Sequence, residues 1–294
     1  MIPPARCVAG PASGRYGSEK RGSGMPGTMP RAIFINLDRA AERRRFMEEQ
    51  GARLGIAMTR FAAVRAEDIP VEQARALNHR WERPLTGAEL GCYLSHLAIW
   101  REAAAGDGPV LVLEDDVMLS KRLPSVLPRL VALPEVEFLN FESYERKRFV
   151  AHPPRPISDG LAVVRVYRDK SGSGAYLLWP AGARRLIERA DARGAAPVDA
   201  FLHGARALVS WQTEPAQAMQ LHLLEARGVM VPIPATSSIQ EPRSRLPLRA
   251  GNFRFHARRL ATQLRLGGEH LMRLFGRRYR IVDIVEGDFD HSRS

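Results

Sequence analysis

The feature that most constrains the fold is a continuous apolar run that ends in three adjacent acids. Residues 110–113 read Val-Leu-Val-Leu and are followed by Glu114, Asp115 and Asp116. A short apolar run without alternation is typical of a strand buried on both faces, which favours the interior of an α/β sheet. Neighbouring carboxylates at the end of a buried strand repel one another, so a cation or hydrogen-bond donors must compensate for their charge.

These carboxylates predict a divalent metal site. Because side chains alternate along a strand, we expect Glu114 and Asp116 on one side and Asp115 on the other, so that the first two share the ion. Carboxylate oxygens suit Mg²⁺ or Mn²⁺ better than Zn²⁺. The alternative is a solvated strand end that caps a helix. A phospho-acceptor receiver domain is disfavoured, because the acid nearest the required position, Asp159, precedes its strand.

Short apolar runs alternate with helical stretches from residue 31 onward, which predicts an α/β domain with a mixed central sheet flanked by helices. We expect strands at 32–37, 59–64, 110–113, 136–141, 161–167, 175–178 and 229–233. We expect helices at 40–54, 86–104 and 180–192. Asp38 is expected to cap the first helix, and Thr86 and Glu89 have the spacing of a capping box at the start of the second.

The charge is distributed unevenly along the chain. Of the formal net charge of +12, most comes from residues 243–280, where eleven arginines stand against one glutamate, so the preceding body is nearly neutral. A neutral body without a reader helix argues against a nucleic-acid partner. The two cysteines exclude a disulfide framework and favour a reducing compartment. The predicted organisation is a disordered Gly-, Pro- and Ser-rich leader over 1–30, one domain over 31–242, and a basic amphipathic tail over 243–294.

Polar residues near other element ends are candidate binding residues. Asn36 lies at the end of the first strand, Arg39 follows it and Arg43 lies in the first helical turns, where open α/β sheets bind nucleotides. The alternative for the arginines is a solvated helix face. Ser95 and His96 lie inside the capped helix, where they form either a floor beneath the acidic strand end or ordinary core.

Two further positions precede predicted elements late in the chain. Gly174 ends a Ser-Gly-Ser-Gly run, in which small residues let the backbone approach a ligand closely, although a flexible turn explains the run equally well. Asp199 stands at the mouth of a short helix, where the alternative role is that of an N-cap.

Taken in order, these motifs resemble glycosyltransferase family 25, the bacterial lipooligosaccharide galactosyltransferases and their relatives. The resemblance covers about 31–245. It rests on Ile-Asn-Leu-Asp-Arg at 35–39, Leu-Thr at 85–86, Glu-Leu-Gly-Cys at 89–92, Leu-Ser-His at 94–96, Trp100, Val-Leu-Glu-Asp-Asp-Val at 112–117, Ser-Gly-Ala-Tyr-Leu at 173–177, Pro-Val-Asp at 197–199 and the segment 234–241.

The resemblance implies a GT-A type fold, a UDP-sugar donor, usually UDP-galactose or UDP-glucose, and inversion at the anomeric carbon. A divalent ion on Asp116, shared with Glu114, would then face the donor diphosphate. Asp199 would be the general base that deprotonates the acceptor hydroxyl. The residues expected to contact the donor are Asn36, Arg39, Arg43, Ser95, His96, Asp115 and Gly174.

The acceptor would be a glycan, in lipopolysaccharide or another cell-surface glycan. Leu260, Leu264, Leu271 and Phe275 recur at helical spacing in the tail, broken or bent at Gly267 and Gly268. Such a helix can lie on an anionic bilayer, which would place a cytoplasmic enzyme peripherally on the inner face of the membrane near a lipid-linked acceptor. The alternatives are a stripe that packs on the domain, and a non-catalytic basic protein that binds membranes or nucleic acid.

Overall fold

The computed structural model describes residues 29–78, 81–133, 135–158, 160–168, 172–234, 252–271 and 277–290. The predicted leader lies outside these residues except for positions 29 and 30. The strands are β1 (Arg31–Asn36), β2 (Met58–Ala62), β3 (Val110–Glu114), β4 (Val117–Leu119), β5 (Phe138–Asn140), β6 (Glu142–Ser143), β7 (Arg148–Ala151), β8 (Arg155–Ser158), β9 (Leu161–Arg168), β10 (Ala175–Leu178), β11 (Ser210–Glu214), β12 (Ala218–Gln220) and β13 (Arg277–Arg280). The helices are α1 (Ala41–Leu54), α2 (Val71–Leu77), α3 (Gly87–Ala105), α4 (Leu123–Val131), α5 (Pro180–Arg193), α6 (Val198–His203), α7 (Leu221–Ala226) and α8 (Phe253–Leu271).

A mixed ten-stranded sheet runs through the described residues. Its order is β13-β7-β9-β11-β5-β10-β3-β1-β2, with β8 added beside β9. Strands β3, β1 and β2 are parallel, whereas β10 is antiparallel to both β3 and β5. A small second sheet has the order β4-β12-β6. The predicted α/β class, with a mixed central sheet flanked by helices, is confirmed.

Helices cover both faces of the sheet, and each face has its own core. On one side the core contains an aromatic cluster of Tyr93 and Trp100 from α3 and Phe201 from α6, and α5 packs in the same core. The Trp100 and Phe201 rings stack with centroids 5.3 Å apart. On the other side α1, α4 and the small sheet bury residues such as Phe46 and Leu127. Strand β3 lies between these two cores with residues 110–113 fully covered, as the uninterrupted apolar run predicts.

Several sequence-based boundaries are confirmed within a few residues. Strand β10 has the predicted bounds, and the capping box of α3 is present, with Thr86 and Glu89 each accepting the other's backbone N–H. Asp38 does not cap α1, since the helix begins after Ala40 without a side-chain cap and Asp38 instead pairs with Arg60. The prediction of a strand at 229–233 is wrong, because this segment forms no strand.

The predicted C-terminal tail is partly built into the sheet. Strand β13 pairs antiparallel with β7, and the ring of Tyr279 stacks on Phe149 with centroids 4.6 Å apart. Val282 and Phe289 are buried. The predicted boundary at 242 lies outside the described residues, whereas the residues from β13 to Phe289 pack against the main sheet.

Within the Arg-rich stretch, Phe253–Leu271 form one continuous helix, α8, which runs through Gly267 and Gly268 without the predicted break. Leu260 and Leu264 are 61% and 70% exposed, so these members of the predicted apolar stripe do not pack on the domain. Phe275 lies outside the described residues. Among the helices described, none has the length and hydrophobicity needed to cross a bilayer.

Candidate functional site

The three acids lie where β3 gives way to β4, and Arg43 of α1 contacts two of them. Glu114 is the last residue of β3, and Asp115 and Asp116 form the turn that follows. Arg43 Nη1 lies 2.9 Å from Asp115 Oδ1 and 3.6 Å from Asp116 Oδ2. The expected placement of the two aspartates on opposite sides is wrong, because strand alternation ends at Glu114 and both face one guanidinium.

Both carboxylate oxygens of Asp115 have hydrogen-bond donors. Asn36 Nδ2 donates to Oδ2 at 2.7 Å, and Arg43 Nη1 donates to Oδ1. Arg60 of β2 donates from Nε to Asn36 Oδ1 at 2.9 Å and so fixes the orientation of the Asn36 amide. Arg60 was not predicted from the sequence, because its role depends on the register of β2 against β1.

Glu114 is held from the opposite side of the strand end. Ser173 Oγ donates to Glu114 Oε1 at 2.8 Å, and His96 Nε2 lies 3.3 Å from the same oxygen. His96 Nδ1 lies 2.8 Å from Tyr176 Oη, which also accepts from Trp100 Nε1 at 2.9 Å. Because Trp100 can only donate, the Tyr176 proton is available to His96 Nδ1, and this leaves the histidine proton on Nε2, facing Glu114.

A fourth carboxylate, Glu142, completes the cluster and was missed by the sequence analysis. Glu142 is fully buried, and its Oε2 accepts the backbone N–H of Gly174 at 2.8 Å. A side chain at position 174 would meet Glu142 and Val117, so only glycine fits between them. The prediction of a close backbone approach at Gly174 therefore has a structural basis, although the group approached is the carboxylate of Glu142.

Burial sets the ionisation of these acids. It raises the pKa of Asp116 to about 7, and the charge of Glu114 adds to this effect. Burial also raises the pKa of Asp115, against the opposing charge of Arg43. Burial would also raise the pKa of Glu114. The nearby His96 and the hydrogen bond from Ser173 outweigh burial, and the pKa of Glu114 is lowered. Burial, with the charges of Glu114 and Asp199, raises the pKa of Glu142 well above its usual range.

The raised pKa of Glu142 predicts a measurable effect on stability. A folded-state pKa above the unfolded value means that stability is fully present below the unfolded pKa and is lost as pH rises toward the folded one. Glu142→Gln removes this loss, so its free energy of unfolding should increase relative to wild type as the pH rises above the ordinary glutamate value of 4.5. Urea unfolding in EDTA at each pH measures the difference. The exposed Glu188→Gln is the control, and an equal response of the two variants would contradict the prediction.

The cluster has oxygen atoms available for a metal ion. Asp116 Oδ1 is buried and has no hydrogen-bond partner among the described residues. Both contacts of Glu114 use Oε1, which leaves Oε2 available. Two carboxylate oxygens of this kind fit the predicted Mg²⁺ or Mn²⁺. Cys92, His96 and Glu114 also offer ligand atoms within 4.8 Å of one another, although the histidine and the glutamate of this set face each other.

Two predicted residues lie outside the cluster, and one lies beside it. Ser95 Oγ is turned away, since it accepts the Val64 N–H at 2.9 Å and donates to Gly91 O at 2.8 Å. Arg39 is exposed and is not brought into contact with the acids. Asp199 lies in the first turn of α6, half-buried, and its charge contributes to the raised pKa of Glu142.

Residues 29–202 match the model of Glycosyltransferase family 25 (LPS biosynthesis protein). A human protein named inactive glycosyltransferase 25 family member 3 is 38% identical over 122 residues, which is 41% of this chain and 20% of that protein. Human procollagen galactosyltransferase 2 is 28% identical over 182 residues, which is 58% of this chain and 29% of that protein. The matched regions are thus less than a third of the length of these two relatives.

Among solved structures, a glycosyltransferase involved in glycosylation of the major capsid of PBCV-1 is similar at a TM-score of 0.32 with 12% identity. The alignment covers 58% of this chain and 68% of that one.

Proposed function

Since the chain belongs to glycosyltransferase family 25, we propose that it transfers a hexose, galactose or glucose, from a UDP-sugar to a hydroxyl of a glycan acceptor, with inversion at the anomeric carbon. The observation that supports this most directly is the buried carboxylate cluster at the end of β3. Arg43 and Asn36 hold one acid, His96 and Ser173 hold another, and Asp116 keeps an oxygen without a hydrogen-bond partner. Such an arrangement needs a cation to complete it.

Asp116 and Glu114 are the residues that would hold a divalent cation. When bound, the ion supplies positive charge against the donor diphosphate and the leaving nucleotide. Asp115 is different, because both of its oxygens are occupied by Asn36 and Arg43. Asp115 therefore fixes the position of Arg43, whose guanidinium lies at the edge of the acidic turn and is suited to a phosphate oxygen.

Asp199 is the proposed general base. It stands in the first turn of α6, close enough for its charge to raise the pKa of Glu142, and it is half-buried, so its carboxylate can reach both protein and solvent. Glu142 is less suited to this role, since it is fully buried, bonded to the Gly174 backbone and held toward its neutral form. Asp199 would take the proton of the acceptor hydroxyl as that oxygen attacks the sugar.

The reaction is tested by release of UDP from a panel of UDP-sugars. We expect slow release from UDP-galactose or UDP-glucose with Mn²⁺, faster release once a glycan acceptor is present, and no release in EDTA. The competing function is that of a non-catalytic protein, because the human relative is named as inactive. No release with any donor and acceptor would favour that function, whereas release that is unaffected by EDTA would exclude the metal.

We further propose that the protein attaches peripherally to an anionic membrane through α8, on the inner face of the cytoplasmic membrane, where a lipid-linked glycan would be the acceptor. The exposure of Leu260 and Leu264 on an arginine-rich helix supports this. Basic residues near an anionic surface each contribute about 1 kcal/mol, and apolar side chains add to this when they enter the interface.

The attachment is tested by the double variant Leu260→Glu with Leu264→Glu. Loss of two partly inserted leucines should weaken liposome binding by about tenfold to a hundredfold. The matched control is Ala261→Glu with Gln263→Glu, which adds the same charge at exposed positions of α8 on either side of the stripe. Co-sedimentation of the full chain with phosphatidylglycerol vesicles measures the effect. Equal weakening by the two double variants, or binding that is insensitive to salt, would refute insertion of the stripe.

A further inference from the structure

A second polar site lies beside the carboxylate cluster, in a cavity of about 790 Å³ between α6, the strands β9 and β11, and the start of α8. Its volume lies within the range of ligand-binding cavities. Residues 200–203 of α6 line it, and Asp199 immediately precedes them. Asn140 lines it as well, and the amide of Asn140 donates to the carbonyl of Gly172, close to the Gly174 segment. The cavity therefore lies against the helix that carries the proposed base.

The charge of the cavity wall is strongly positive. Its lining contains the six arginines Arg146, Arg165, Arg189, Arg193, Arg206 and Arg258, and Glu82 is the acid among the described lining residues. Arg165 and Arg193 make no ion pair with a residue in the described part of the chain. Arginine offers a planar fork of donors that matches carboxylate and phosphate groups. A wall of this composition is suited to an anionic ligand.

Aromatic side chains provide the apolar part of the wall. Phe201, Trp211 and Trp81 line the cavity, and Arg258 of α8 donates to Trp81 O at 3.0 Å. Aromatic surface accommodates the apolar face of a sugar ring, while the ring hydroxyls keep their polar partners.

We propose that this cavity binds the acceptor, and that the acceptor is an anionic saccharide carrying a phosphate or a carboxylate. The inference rests on the proposed transferase function and adds the chemical class of the acceptor. The arginines would bind the anionic group, the aromatic side chains would pack against the sugar ring, and a hydroxyl of the saccharide would reach Asp199. A neutral glycan would leave Arg165 and Arg193 without an ionic partner.

Direct binding to the full chain tests this without any need for turnover. The probes are glucose 6-phosphate, glucuronic acid, glucose and inorganic phosphate. The binding of each probe is measured by the change in fluorescence of the cavity tryptophans. We expect either or both of the anionic sugars to bind at least about tenfold more tightly than glucose and than inorganic phosphate. Preference between glucose 6-phosphate and glucuronic acid identifies which anion the acceptor carries. Equal binding of glucose, or equal binding of inorganic phosphate, would overturn the proposal.

Variants connect the binding to this cavity. Arg165→Gln combined with Arg193→Gln should weaken binding of the preferred anionic sugar at least about tenfold, while Arg53→Gln, at an exposed arginine outside the cavity, should not. Neither variant should change the affinity for UDP. Displacement of the anionic sugar by UDP would overturn the proposal, because it would place the donor in the cavity. Failure of UDP-sugars to bind or react would instead contradict the transferase function alone.

Discussion

Asp116→Asn is expected to abolish transfer while the protein stays folded. The substitution is nearly isosteric, and the backbone carbonyl of Asp116 would still accept the Leu221 N–H, a contact of 2.9 Å. What is lost is the charged oxygen that has no protein partner. Electrostatic stabilisation of a leaving diphosphate is worth several kcal/mol, so we expect transfer to fall by a factor on the order of 10³ or more.

The measurement combines UDP release with thermal unfolding and Mn²⁺ binding by calorimetry. Asp107→Asn, at an exposed position shortly before β3, is the matched control and should behave as wild type. Asp116→Asn should melt close to the wild-type temperature and show weakened Mn²⁺ binding. Normal turnover in the variant would contradict the assignment of Asp116, and a large fall in melting temperature would assign the residue to the fold.

Asp199→Asn should lower turnover by about 10² to 10⁴-fold while leaving UDP-sugar affinity nearly unchanged. The physical reason is that the amide cannot take the acceptor proton, whereas in the proposed reaction other residues at the β3 end would hold the donor. Because α6 begins at Val198 with Pro197 before it, Asp199 is not the N-cap, and its loss removes no helix cap.

Asp191→Asn, at an exposed position of α5, is the control for this prediction. Steady-state kinetics and equilibrium binding of UDP-sugar separate the two effects. Loss of donor binding with turnover preserved would assign Asp199 to donor positioning. Product with retained anomeric configuration would contradict inversion, and with it the need for a base at this position.

The sequence predicts an element well when the contacts that form it are local or when burial is complete on both faces. The apolar run before Glu114 is covered from both sides by the two cores, so its pattern is unambiguous. The capping box joins Thr86 and Glu89 within one helical turn, and its spacing is readable without knowledge of the rest of the fold.

Errors arise where distant residues decide the outcome. The segment at 229–233 alternates like a strand, and Val229, Val231 and Ile233 do pack against the core, but Pro232 removes an N–H that a ladder would need. Strand β13 has no apolar alternation, and it forms because β7 offers an open edge and Arg280 pairs with Glu214.

The same distinction applies to the candidate site. The acids of the β3 end are visible in the sequence because they are adjacent. Glu142 is not, because its burial comes from the pairing of β6 with β12 and from the backbone of Gly174. Ser95 was assigned to the site by its neighbour His96, yet consecutive residues of a helix point in different directions, and only His96 faces Glu114.

Helix α8 has a consequence for how an acceptor would be found. Arg258 and Thr262 line the cavity, and Leu260 and Leu264 of the same helix are exposed. A protein bound to a bilayer through those leucines would hold the cavity mouth at a set height above the lipid headgroups. Its encounters with a lipid-borne acceptor would follow lateral diffusion in two dimensions, and the length of glycan between lipid and anionic group would decide which acceptors reach the cavity.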